Sequence, residues 1–180
     1  MNTTELSCVL QRSLRECKVQ FVGVFPADEV PKYTSGFPLC FVVNTDAANN
    51  PGEHWVACWC ESSGQLEFFD SAGMPHAVYP QLRIPYNVTH HNATQLQQLS
   101  SNACGHFCIY FLLARAHGVS FSNIIRTISG VRPALRDDFV RRHLATILDR
   151  LSIDNPCRSV CIGQQCCKSF YQVSTNNLLQ

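Results

Sequence analysis

Charged side chains are scarce in this sequence. Only 15% of its 180 residues are Asp, Glu, Lys or Arg, and the two signs nearly cancel to a net +1. A balance so close to neutral gives no global argument for binding a polyanion or an acidic membrane surface. Also missing is an uninterrupted apolar run long enough to span a bilayer. The opening stretch, MNTTELSCVLQRSLRECKV, is broken by Gln, Arg and Glu and does not read as a secretory leader, so the expectation is an unsecreted protein. Disorder is excluded from the other side, because 46% of the residues are apolar. The length suits one domain with a substantial core.

Cysteine is abundant: there are eleven, an odd number. Without a leader, the expectation is reduced thiols in a cytosolic or nuclear setting. Cys40 in PLCFVV, Cys58 in WVACW and Cys108 in HFCIYF sit inside apolar runs, where a free thiol acts as a small hydrophobe. Cys104 differs, because SSNACGHFCIYFLLARAHG places it where a polar, turn-forming lead-in meets an apolar helix.

The spacing of Leu6, Val9, Leu10 and Leu14 predicts a first helix with Thr4 as its N-cap. FVGVFPADEVP reads as a loop or short strand, and PLCFVVNT as a fully apolar strand closed by the turn DAANNPGE. HWVACW and QLEFFD are strand candidates, the following stretch is irregular, and LRIPYNV is an edge-strand candidate. The central helix beginning at Cys104 should run about four turns to an αL cap at Gly118. A short helix from Ser122 to Ile128 follows, then an amphipathic helix whose shared face is Leu135, Phe139, Leu144, Ile147, Leu148 and Leu151. The order implies an α+β fold, with the central helix packed on a mainly antiparallel sheet. A domain over residues 1–156 would be followed by a Cys-containing tail, 157–180.

At a helix N-terminus, unpaired N–H groups and the positive dipole end favour a thiolate, so Cys104 is the candidate nucleophile. Gly105 beside it would let a substrate backbone approach without a Cβ in the way. Covalent catalysis needs a base and a group to orient it. His54 opens one strand and Asp70 closes the next. An antiparallel hairpin whose opposed residue numbers sum to 124 sets them face to face, whereas a one-residue slip would throw them to opposite faces. The Cys104 N–H, with a side-chain amide from Gln97, Gln98 or Asn102, could stabilise an oxyanion, and Asn102 reads better as a turn residue than the two glutamines do.

Taken together, LCFVVNT, GEHWVACW, LEFFDSAG and LQQLSSNACGHFCIYFL resemble the adenovirus maturation protease (adenain) family, including the proteases of Maverick/Polinton elements. They resemble the SUMO-specific cysteine proteases more loosely. The likeness spans roughly residues 5 to 151. It implies a papain-like, circularly rearranged cysteine protease fold and a triad of Cys104, His54 and Asp70. It also implies an oxyanion glutamine, with ungapped adenovirus-type spacing selecting Gln97 and SUMO-protease spacing selecting Gln98. Trp55 and Asn44 would border the substrate groove. The implied activity is endopeptidase processing of viral capsid and core precursors near small residues, in a virion and host nucleus, by a monomer needing no cofactor or metal for the chemistry. The alternative is deconjugation of ubiquitin- or SUMO-like modifiers. Two accessory partners are implied, an activating peptide and DNA. The family's peptide is disulfide-bonded to a cysteine ahead of the nucleophile, and the matching stretch IPYNVTHHN has none. DNA would meet Arg126, Arg132, Arg136, Arg141, Arg142, Arg150 and Arg158, a set that also fits the solvated face of a helix. The tail cysteines Cys157, Cys161, Cys166 and Cys167 have a spacing poorly matched to structural zinc.

Overall fold

Asn2, rather than Thr4, caps the first helix, α1 (Thr3–Ser13). Its Oδ1 accepts from the Glu5 N–H while the Glu5 carboxylate accepts from the Asn2 N–H, a reciprocal box that satisfies two otherwise orphaned donors. The computed structural model describes residues 1–151; the expected boundary at 156 and the four tail cysteines lie outside the described residues.

Five strands follow in chain order across one sheet: β1 (Gln20–Phe25), β2 (Leu39–Asn44), β3 (Trp55–Cys60), β4 (Gln65–Phe69) and β5 (Asn87–His91). The sheet is not mainly antiparallel. β2–β3 and β3–β4 are antiparallel, whereas the outer pairs β1–β2 and β4–β5 are parallel. The reason lies in the connections. The loop at residues 45–54 and the short turn at 61–64 fold straight back into antiparallel neighbours, whereas residues 26–38 and 70–86 cross over and return the chain in the same direction. β5 begins where LRIPYNV ends, so the edge strand falls later than expected.

Alternation along the strands divides the core. Cys40, Val42, Ala57, Trp59 and Phe69 face the helices, while Phe41, Val43, Val56, Cys58 and Phe68 face the two crossover loops. Both faces of β2 and β3 are therefore covered, which is why these strands read as continuous apolar runs and why Cys40 and Cys58 are fully buried. The central helix α2 (Cys104–Ala116) lies against β3, and Phe111 stacks on Phe69 with ring centroids 4.6 Å apart. Gly118, at φ 81°, ends it as expected. At this C-terminal end Arg115 grips the Glu67 carboxylate at 2.7 and 3.2 Å, reaches Glu61 at 3.2 Å and covers the Trp59 ring. That bidentate pairing fixes the helix axis against the β3–β4 turn.

Helix α3 (Phe121–Ser129) starts at the Ser120 cap, and α4 (Arg136–Leu151) follows a 3₁₀ turn, Pro133–Leu135. Leu135 sits in that turn and is exposed, so it leaves the expected apolar face; Val140 takes an inward position with Leu144 and Ile147. Among the described residues, no helix is long and apolar enough to cross a membrane.

Candidate active site

The sheet and α2 bring His54, Asp70 and Cys104 together. His54 immediately precedes β3 and Asp70 immediately follows β4, so each stands where its strand leaves the ladder. The β3–β4 register differs from expectation: Ala57 pairs with Phe69 and Trp59 with Glu67, so opposed numbers sum to 126 rather than 124. The hairpin is centred one residue later in the chain than the sequence suggested. A shift of two residues preserves facing, so His54 and Asp70 become diagonal neighbours instead of a directly opposed pair. Their side chains still meet, with His54 Nε2 2.6 Å from Asp70 Oδ1.

Asp70 is fully buried, and each carboxylate oxygen has two donors. Oδ1 receives His54 Nε2 and the Ala72 N–H (2.8 Å); Oδ2 receives the Tyr79 hydroxyl (2.7 Å) and the Met74 N–H (3.2 Å). Burial alone would raise its pKa. The His54 bond and charge, the Tyr79 bond and the Ala72 bond outweigh that and hold it below the ordinary carboxylate value. Behind it, Asn92 is buried and clamps the Asp70 backbone from both sides, accepting its N–H at 2.9 Å and donating to its carbonyl at 2.5 Å. The tight turn after Asp70 depends on Gly73. Its φ is 76°, and a Cβ there would lie 2.5 Å from the Thr94 carbonyl carbon.

With Nε2 directed to Asp70, Nδ1 is the ring nitrogen left for Cys104, to which His54 is also hydrogen-bonded. The imidazole is lifted to about 9: burial pulls it down, but the Asp70 bond and then the Cys104 bond more than reverse that. The Cys104 thiol moves the opposite way. Burial raises it, yet the His54 bond, the Trp55 backbone N–H, the His54 charge and the Gly105 backbone N–H bring it below its ordinary value. Those opposed shifts describe a thiolate–imidazolium pair. Burial instead drives the thiols of Cys40, Cys58, Cys60 and Cys108 upward, Cys60 to about 12.

The two glutamines part company. Gln97 Oε1 accepts from the Ser71 hydroxyl at 2.8 Å and its Nε2 donates to the Ser101 carbonyl at 2.6 Å, so its amide spans the residue after Asp70 and the lead-in to Cys104. Gln98 turns to the start of α4, donating from Nε2 to the Ala134 carbonyl at 2.9 Å. Asn102 is exposed and accepts from Arg141 at 3.0 Å.

Trp55 and Asn44 pair across β3 and β2 and line a groove of about 430 Å³, together with Val24, Pro26, Asp46 and Glu53. Asn44 Oδ1 accepts from the Asp46 and Glu53 N–H groups, which shapes the groove's turn. The Trp55 indole donates to the Met1 carbonyl at 3.3 Å. Gly105 does not offer the open approach expected of it. A Cβ there would sit 3.3 Å from Met1 and 3.4 Å from Leu6, so this chain's own α1 and its lead-in fill that space. Of the arginines expected at a phosphate surface, Arg136 is spent internally on the carbonyls of Val131, Gln95 and Ser129. Arg150's side chain and all of Arg158 lie outside the described residues.

Tyr79, Asn92 and Ser71 are the site residues that sequence reasoning missed. Asn92 carried a faint signal as an amide just past a strand end; Tyr79 carried none, because it reaches Asp70 across an irregular loop.

No protein-family model matches the chain. It is similar to a cysteine protease of African swine fever virus (a tick isolate from Malawi), 31% identical over 100 residues covering 48% of this chain and 37% of the relative. A protein of the same virus named as a SUMO-1 cysteine protease (a pig isolate from Kenya) is 30% identical over 100 residues, with the same coverage. The matched region thus spans well under half the length of these curated relatives.

Proposed function

We propose that this protein is a cysteine endopeptidase of the adenain-like type, acting on viral or virus-like structural precursors during particle maturation. The observation that carries the reading is the single connected line from Asp70 through His54 to a thiol shifted toward its anion at the mouth of α2. The viral cysteine proteases it resembles support the reaction class. On this reading Cys104 Sγ attacks the scissile carbonyl carbon, and the oxyanion is met by the Cys104 N–H and the Gln97 amide. His54 gives its proton to the departing amine, then takes one from the water that hydrolyses the thioester. Asp70 keeps the ring oriented and its charge compensated. The groove beside Trp55 and Asn44 holds the peptide upstream of the cut. The same reading carries a papain-like, circularly rearranged chain order, a monomer, a virion and host-nucleus location, and a peptide and DNA as accessory partners.

A second reading is removal of a SUMO-like modifier, favoured by the name of one set of relatives. Both share the chemistry and differ in the surface that grips the substrate. The deciding experiment sets wild type and Cys104→Ala against a peptide library, with and without DNA, beside an electrophilic ubiquitin-like probe. Peptide cleavage by wild type alone supports the endopeptidase. Capture of the probe by Cys104 without peptide cleavage would replace it with the deconjugase.

A further inference from the structure

We propose that Tyr79 is a positioning residue of the triad, acting on His54 only through Asp70. The inference rests on the protease reading above and adds a fifth side chain to its machinery, after Cys104, His54, Asp70 and Gln97. Tyr79 follows a 3₁₀ turn, His76–Val78, on the crossover between β4 and β5, away from the groove and behind the carboxylate. Its hydroxyl donates to Asp70 Oδ2 at 2.7 Å, and among the described residues the one other donor to that oxygen is the Met74 N–H at 3.2 Å. The ring packs with the apolar cluster on the loop face of the sheet, and the Leu82 N–H binds the Tyr79 carbonyl at 3.0 Å, so the phenol is held in place.

The geometry assigns one task to each oxygen. With Oδ2 occupied by Tyr79 and Met74, Oδ1 is the oxygen presented to His54, and the carboxylate plane is fixed by anchors on both sides. Without the hydroxyl, Oδ2 keeps one long bond inside a buried site. A carboxylate so placed swings or takes up a proton, and in either case it ceases to support the imidazolium. Among the described residues the titratable groups facing Asp70 are few: His54 in front, Tyr79 behind, and Cys108 beneath on α2, a buried thiol held neutral across the working range. Beyond His54 stands Cys104. Tyr79 is therefore the one group around the carboxylate that can be altered while its contact with His54 and every backbone donor stay intact.

The test uses the full chain and two readouts: peptide hydrolysis, and the rate of iodoacetamide labelling at Cys104 against pH, located by peptide mass. Tyr79→Phe removes one oxygen and keeps the ring. It is expected to lower kcat about tenfold with KM unchanged. The labelling curve, which follows the thiolate, should retreat about half to one unit toward neutral pH, since an easily protonated Asp70 loses the imidazolium sooner. In the Asp70→Asn background, Tyr79→Phe should add less than twofold, because its route to His54 is already cut. An equal loss in both backgrounds, or an activity drop with an unmoved labelling curve, would overturn the proposal. Should the variant fold poorly, wild type, each single variant and the double variant, compared at matched folded fraction by far-UV circular dichroism, still decide additivity. The underlying reading fails separately: wild-type Cys104 would then show no labelling advantage at mildly acid pH.

Discussion

His54 and Cys104 hold opposite charges more firmly than either would alone, and that sets the pH behaviour. The imidazolium persists to about 9, so stability tied to it is fully present below the ordinary histidine value and lost as pH rises through about 9. Cys104 and Asp70 are depressed acids, so their contributions are present at high pH and lost as pH falls through their lowered values. Activity should accordingly form a bell with an alkaline limb near 9, and His54→Gln should cost the least stability above that limb; a stability gap that widens there would contradict the sign. Cys104→Ala should abolish hydrolysis, by about a thousandfold or more, with melting changed little. Gln97→Ala should lower kcat about tenfold or more while Gln98→Ala acts on stability alone, since only the first amide lies toward the nucleophile's lead-in. These residues were legible because chemistry demands particular types at the ends of elements. The choice between two adjacent glutamines was not legible, since it depends on which way a loop turns over Ser71.

The β3–β4 hairpin and the turn after Asp70 carry the geometry at the next scale. Strand identities could be read from apolar runs, yet the register could not, because a two-residue shift preserves every inward and outward facing and leaves no mark on the pattern. The turn is different, because only glycine tolerates its conformation and its closeness to residue 94. Gly73→Ala should destabilise the protein by about 2 kcal/mol or more and depress kcat as well, by displacing the Ala72 and Met74 donors. Thermal melting and hydrolysis rates check this together; an active, unshifted variant would mean that the loop yields freely. The parallel edge pairs escaped sequence reading for a related reason: crossover direction is decided by loops without regular periodicity.

Across the whole molecule, burial sorts the thiols. α1, α2 and α4 and the two crossover loops close over both sheet faces, pushing Cys40, Cys58, Cys60 and Cys108 toward neutrality, while α2 directs one sulfur at an imidazole. Brief alkylation of the folded chain near pH 6 should modify Cys104 well ahead of those four; even labelling across them would mean that no sulfur is specially ionised. The α+β layering followed from helix and strand periods, but the closing of the site by Met1 and Leu6 over Gly105 needed the packed structure. The amides of Asp70, Ala72, Gly73 and Met74 all donate within the protein, to Asn92, to the two carboxylate oxygens and to the Asp70 carbonyl. In deuterium solvent this irregular segment should exchange as slowly as the strands beside it, opening only when the sheet itself comes apart.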